Sequence, residues 1–483
     1  MTIPVPNVTF HERVDAALRD PILHTALDRS MSRFSALRRA ALAAFADESA
    51  TRARARLIRA HTLSRLDAYL EQFEANVQRA GGQVHFAADA AALNRIVGEI
   101  ARAHRVKTVV KGKSMVSEET ALNDALEAEG IRVVETDLGE YIVQLAGEHP
   151  SHIIAPAFHK TKEQVGQLFH EKINLPLTDD PAVMTAAARA KLRWEFLNAD
   201  MGISGVNFGV AETGSICLVE NEGNGRLTTT VPRVHVAVMG IERLVPNLDD
   251  LAVMLQVLAR SATGQKLSVY TNLITGPRKN DEGDGPAELH IILLDNGRSR
   301  VLGGEVAEIL YCIRCGACLN ACPVYREIGG HAYGSVYSGP VGAVLTPALE
   351  GIAQWSALPQ ASTLCGMCKQ VCPVQIDIPR MLLVERAQAT RAGKMAWWLR
   401  LGLHLYAFTA TKPALYRLAA GGARIGSRML GAPQQGWIKK LPPPLNAWTK
   451  TRDFPAFAQK SFRAQWEAHR ARQDAERAGD SHA

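Results

Sequence analysis

The sequence has no uninterrupted apolar run of about 18 residues, the length a helix needs to span a bilayer. Its most apolar stretch, Met395 to Ala410, is broken by Arg400 and His404. Met1 to Asp15 lacks a basic segment followed by an apolar one, so no secretory signal is expected and a cytoplasmic location is. Low-complexity tracts are absent, as is any nucleic-acid reader motif. The net charge of +7 is spread thinly, with 55 Lys and Arg interleaved among 48 Asp and Glu, as in Arg52–Arg59 followed by Asp67 and Glu71. A nucleic-acid binder concentrates its basic residues in one patch, so no nucleic-acid partner is expected. A solvated basic surface or an acidic protein partner accounts for this charge. A Rossmann fingerprint is missing too, so hydride chemistry is not the first expectation here. Outside residues 312–372 there is one cysteine, Cys217, and a buried inert thiol is its expected state.

At 483 residues the chain calls for two or three domains. Residues 1–80 read as a helical region, with Leu57, Ile58, His61, Leu63, Leu66, Leu70 and Phe73 recurring at spacings of three and four. Residues 81–300 alternate short apolar strands with helices: strands at Gln83–Phe86, Thr108–Val110, Arg132–Glu135 and His152–Ala155, and helices at Leu93–His104, Glu118–Glu129 and Lys162–Glu171. That rhythm predicts an α/β domain built on a parallel sheet. A strand-rich middle follows, Val206–Glu220, Val234–Met239, Leu267–Ile274 and Glu288–Leu293, with a helix at Leu248–Arg260. Residues 301–390 carry cysteine motifs on short helices, and 391–483 form a basic, aromatic tail.

Seven of the eight cysteines lie in two motifs in register. The first, Cys312-Ile-Arg-Cys315-Gly-Ala-Cys318-Leu-Asn-Ala-Cys322-Pro323, is the bacterial ferredoxin run. Three thiolates on a tight loop reach three irons of one cubane, and the fourth, opening a helical turn, points to a second. A zinc ribbon would instead close one tetrahedron from two paired cysteines. The second motif, Ser362-Thr-Leu-Cys365-Gly-Met-Cys368-Lys-Gln-Val-Cys372-Pro373, has serine where the first cysteine should stand. Crossed ligation assigns Cys312, Cys315, Cys318 and Cys372 to cluster one. Cluster two receives Cys322, Cys365 and Cys368. For its fourth iron three outcomes stay open: a non-cysteine ligand on a [4Fe–4S] cluster, a [3Fe–4S] cluster, or an open iron site. Two such clusters lie within tunnelling range, which favours an electron relay.

Other candidates are weaker. Lys111-Gly112-Lys113-Ser114 lacks the glycine of a phosphate loop at position 107, yet a strand ending this way can hold an anion. The alternative is a pair of surface lysines. Glu212 and Glu220 stand beside glycine-rich turns and can be read as catalytic carboxylates or as polar turn residues. Tyr325, His331, Tyr333 and Tyr337 read first as packing. In the tail, Trp397, Trp398, Leu401, Leu405 and Phe408 can share one helical face beside Lys394 and Arg400, suited to a partner protein or to peripheral membrane contact.

Phe208-Gly-Val-Ala-Glu-Thr-Gly-Ser-Ile216, Val109-Val-Lys-Gly-Lys-Ser-Met-Val-Ser-Glu-Glu119, the two cysteine motifs and Asp453-Phe-Pro-Ala-Phe-Ala458 together resemble the L-lactate-utilisation iron–sulfur protein family (LutB type). The likeness runs over nearly the whole chain. It implies an N-terminal domain of the sugar-isomerase and CoA-transferase-like α/β fold (a LUD domain) followed by a mainly helical dicluster ferredoxin domain. It also implies two [4Fe–4S] clusters and a role, with other subunits of a lactate-utilisation complex and an electron acceptor, in oxidising L-lactate to pyruvate. A CoA-transferase-like or isomerase-like enzyme using Glu212 or Glu220, with the clusters structural or regulatory, is the competing expectation. A partner-docking scaffold is the third.

Overall fold

The structure is a computed structural model; it describes residues 8–430, 436–443, 445–450, 452–458 and 460–480. Residues 1–7 of the expected leaderless start, and 431–435, 444, 451, 459 and 481–483 of the tail, lie outside the described residues. The chain forms two compact units, Met1–Lys394 and Met395–Ala483.

In the first unit the strands are β1 Gln83–Ala87, β2 Thr108–Lys111, β3 Arg132–Glu135, β4 Met201–Gly205, β5 Phe208–Val210, β6 Ser215–Glu220, β7 Val234–Gly240, β8 Leu244–Val245, β9 Tyr270–Ile274 and β10 Glu288–Leu294. Six of them make one sheet in the order β1-β10-β7-β4-β2-β3. Every pairing in it is parallel, as the alternation of strand and helix predicts. Side chains alternate between its faces. Val109, Ile292 and Leu294 pack under the helix Ala90–Ala103, whereas Leu289, Ile291 and Leu293 face a second, four-stranded sheet, β8-β5-β6-β9.

Four helices precede the sheet: Phe10–Ala17, Pro21–Leu42, Glu48–Ser64 and Leu66–Arg79. Asp20, Asp47 and Thr9 cap their first turns through side-chain oxygens that accept backbone N–H groups. The expected strand His152–Ala155 is absent. His152 Nδ1 accepts the backbone N–H groups of Ile154 at 3.1 Å and Ala155 at 3.3 Å, which bends the chain at a point that apolar content marked as extended. The expected helix Glu118–Glu129 is two, Met115–Glu119 and Leu122–Ala128, broken where Ala121 takes φ 49°. The run Val206–Glu220 folds back on itself as antiparallel β5 and β6.

The second unit contains the helices Trp397–Ala410 and Pro413–Met429, an antiparallel pair Trp437–Ile438 with Phe454–Pro455, and the helix Phe462–Asp480. No described helix is long and apolar enough to cross a membrane.

Candidate metal centre

The two cysteine motifs fold as two copies of one loop. Residue i+2 of each takes a left-handed conformation, Arg314 at φ 59° and Leu364 at φ 55°. The glycine two residues further, Gly316 at φ 72° and Gly366 at φ 85°, opens a short helix, Ala317–Asn320 or Met367–Val371. Only glycine enters that conformation without a Cβ penalty. In the first loop the Arg314 N–H donates to Cys312 Sγ at 3.4 Å; in the second the Leu364 N–H donates to Ser362 Oγ at 3.1 Å. Ser362 therefore occupies the structural place of Cys312.

The chain brings thiols of both motifs together. Cys312, Cys315 and Cys318 line one narrow cavity with Cys372, beside Ile153, Val341 and Ile376. Burial pushes the Cys315 thiol up to about 12, with Cys372 adding to the rise. It pushes Cys372 to about 11, with Cys312 adding. Cys318 is raised by burial and then by Cys312 and Cys315. Cys322 and Cys365 border a separate, open cleft with Arg38, Arg39, Arg52 and Arg326. Cys368 is buried behind them, lifted to about 12 by burial and by Cys322. Cys365 is exposed, and the Met367 backbone N–H lowers its pKa. Thiols raised by burial and by neighbouring sulfurs, as Cys315, Cys318 and Cys372 are, suit a cationic centre, because bound metal reverses that sign and holds them as thiolates. Their donor chemistry fits an iron–sulfur cluster; backbone N–H groups aimed at sulfur, as at Cys372 from Ile376 (3.4 Å), fit it too.

Arginines of the N-terminal helices grip these loops. Arg38 Nη2 donates to Val371 O at 2.7 Å, and Arg52 Nη2 to Gln370 O at 2.6 Å and Cys372 O at 2.8 Å. Arg56 Nη1 reaches Gln375 O at 2.7 Å and Glu308 at 2.6 Å. Arg59, 1% exposed, donates to the carbonyls of Glu242, Leu244 and Leu310. The expectation of a solvated basic surface is thus corrected for this segment. Arg52, Arg56 and Arg59 stand at i, i+4 and i+7 on one helical face, a spacing that carried the signal.

Beyond the first thiol cavity, at the C-terminal edge of the parallel sheet, lies a cavity of about 280 Å³. Lys113, Asp137, Glu220, Glu222, Arg243 and Arg314 contribute to it. Arg243 Nη1 donates to Cys312 O at 3.2 Å, so the cavity adjoins the first cysteine loop. A buried network joins the two parts. Arg298 pairs with Glu119 at 2.8 Å and with Glu242 at 2.7 Å, Arg314 approaches Glu242 at 3.5 Å, and the Tyr337 hydroxyl donates to Glu119 at 2.6 Å. Burial would raise Glu242, but Arg298, Arg314 and Arg243 hold it down at about 2.

The lysines read as surface residues are not. Lys111 is fully buried, its Nζ paired with Glu135 at 2.8 Å and Glu118 at 3.0 Å. Lys113 Nζ is out of reach of solvent and has no hydrogen-bond partner among the described residues. Of the two candidate carboxylates, Glu220 borders the cavity but accepts the N–H groups of Gly225 at 2.9 Å and Arg226 at 2.8 Å. Glu212 is exposed, and its backbone oxygen accepts from Asn76 Nδ2 at 2.9 Å. Burial pushes the Cys217 thiol up to about 12, as an inert core residue requires. Tyr325 donates to Ser151 O at 2.7 Å, and His331 Nε2 lies 2.7 Å from His149 O, in keeping with packing roles.

These parts define a class: a parallel α/β domain joined to a ferredoxin-type region with two cysteine motifs. Family models match accordingly, the LUD domain over residues 70–294, a 4Fe-4S dicluster domain over 308–376, and "Lactate utilisation protein B, C-terminal" over 385–471. Lactate utilization protein B of Shouchella clausii is 44% identical over 464 residues, covering 96% of this chain and 97% of that protein. The protein of the same name from Bacillus licheniformis is 44% identical over 472 residues, with 97% and 98% covered. A crystal structure of a DUF162 family protein from Deinococcus radiodurans aligns with 47% of this chain at 17% identity and a TM-score of 0.27. The chain belongs to the lactate utilization protein B family.

Proposed function

We propose that the chain is the iron–sulfur electron-transfer subunit of a cytoplasmic complex that oxidises L-lactate to pyruvate. The observation that supports this reading is that Cys372 of the second motif lines one cavity with Cys312, Cys315 and Cys318 of the first, while Cys322 of the first borders a cleft with Cys365 of the second. Cys312, Cys315, Cys318 and Cys372 would hold one cluster, and Cys322, Cys365 and Cys368 the other, with Ser362 a candidate for its fourth ligand. Bound there, two one-electron centres would pass the two electrons of lactate oxidation onward singly. This chain's own residues bury Cys315 and Cys372 of the first group, point N–H groups at sulfur and fix both loops through arginines. Residues 1–80 then brace the cysteine region 301–390, and 81–300 form the body against which it is held. In the tail, Trp397 and Trp398 are 76% and 53% exposed, which suits docking to another subunit of the complex; truncation after Lys394 that left lactate growth intact would remove that assignment. For the function itself, Cys315→Ala should abolish growth on L-lactate when it replaces the parent gene, with protein level unchanged. Growth at the parental rate would overturn the reading.

A second reading, an enzyme at the N-terminal domain, is favoured by one feature: Lys113 Nζ, without a hydrogen-bond partner among the described residues, at a cavity that holds carboxylates. It predicts acyl-CoA turnover by cluster-free protein, lost in Lys113→Met. No turnover in the cluster-free parent would remove it.

A further inference from the structure

Four side chains at the opposite, N-terminal edge of the parallel sheet take no part in the site above. Glu288 and His290 stand two apart on β10 and so leave the sheet on the same face. The helix Ala90–Ala103 covers that face, and His104 is its C-cap. β1 pairs with β10 and stacks His85 on His290, with ring centroids 5.3 Å apart. Two strands and a helix end thus deliver three imidazoles and a carboxylate to one point.

The spacing there is that of a coordination shell. Glu288 Oε2 lies 3.3 Å from His104 Nε2 and 3.5 Å from His290 Nε2. Ligands placed tetrahedrally at about 2.0–2.1 Å from a zinc ion are about 3.3–3.4 Å apart, within about a tenth of an ångström of both distances. His290 is 5% exposed, and its Nε2 has no hydrogen-bond partner among the described residues. An orphaned buried nitrogen is costly unless something else occupies its lone pair. Its other nitrogen, Nδ1, is 3.1 Å from His85 Nε2. With the proton on Nδ1 and donated to His85, the His290 Nε2 lone pair faces the gap toward Glu288 and His104, the arrangement that orients metal-binding imidazoles.

We propose that His104, Glu288 and His290 bind a divalent cation of the zinc type, with His85 positioning His290 and a fourth coordination place left to water. Two imidazoles with one carboxylate favour a borderline first-row ion over calcium or magnesium. Burial keeps His290 and His85 below the usual histidine pKa. Glu288 is 38% exposed and leaves an entry path. Arg233 Nη2 lies 3.4 Å from His104 Nδ1, and must turn away when that nitrogen takes the proton on binding. The bound ion would pin the edge strand β1 and the end of the helix to β10.

The test uses the full chain, purified anaerobically with its iron in place, and one equivalent of ZnCl2. Zinc-edge X-ray absorption should show a nitrogen and oxygen shell with the multiple scattering of two imidazoles. A sulfur shell at about 2.3 Å would mean that zinc had entered the cysteine motifs, and would overturn the proposal. By calorimetry, Glu288→Gln and His104→Ala should each weaken Zn2+ binding at least about 10–100-fold, with iron content unchanged, and His85→Ala about tenfold. If His104→Ala fails to fold, Glu288→Gln, a change at a partly exposed carboxylate, decides alone. Parental affinity in Glu288→Gln, or no binding to the parent at micromolar zinc, would refute the site.

Discussion

Ser362 and Cys312 accept the same backbone N–H in two copies of one loop, so a thiol at 362 would enter a place already shaped for one. If Ser362 is the fourth ligand of the proposed second centre, and not simply a hydrogen-bonding loop serine, its harder oxygen would leave that iron the most easily lost. On mild oxidation the parent should give a [3Fe–4S] EPR signal from one cluster only. Ser362→Cys should suppress it; a variant no more resistant than the parent would place the fourth ligand elsewhere. The register of the motifs made this residue legible from the sequence, although nothing there fixed its side chain's direction. His235 is a different case, a buried base on β7 whose Nε2 lies 2.8 Å from Ser204 Oγ. Burial, aided by His290, depresses it to about 3. The unfolded chain therefore binds more protons between about pH 6.5 and 3, so stability is full above that window and falls as pH drops through it. At pH 5.5 this group costs about 1.4 kcal/mol. His235→Gln should lose correspondingly less stability between pH 7.5 and 5.5 in anaerobic denaturant titrations. An unchanged loss would show that the imidazole is solvated.

The arginine-bearing helix Glu48–Ser64 explains why the cysteine loops hold their shape without long helices of their own. Charged donors to backbone carbonyls contribute about 1.5–3 kcal/mol each. Arg52→Ala, which frees the carbonyls of Gln370 and Cys372, should destabilise the fold by roughly that amount and speed iron release to a chelator several-fold. Release at the parental rate would mean that the loops stand unaided. The helices and the parallel strands were legible because their periods differ and their caps are local. His152–Ala155 was misread because its apolar content matches a strand while a side-chain nitrogen sets the bend. Glu288 and His290 leave no local signature with His85 and His104 for another reason: His85 lies 205 residues from His290 in sequence, and only the pairing of β1 with β10 and the end of the helix Ala90–Ala103 bring the two pairs together.

Across the first unit, the sheet and the cysteine region share one buried ionic network. Arg298 sits between Glu119 and Glu242, and Arg314 carries the network into the first cysteine loop. The cysteine region is thereby fixed to the α/β body rather than tethered to it. The sequence predicts both regions, but the Tyr337–Glu119 hydrogen bond that joins them runs over 218 residues and, like the Arg314–Glu242 pair, leaves no local pattern. Central to the proposed function is an exchange of ligands between the two motifs, in which Cys372 of the second would serve the first centre. EPR with iron and sulfide quantification, on the anaerobically purified Cys372→Ala protein and its parent, tests this directly. The parent should hold two clusters, and the variant should lose the signal of the first while keeping that of the second. A parent with about four irons or fewer, or a variant that loses only the second cluster's signal, would contradict the account.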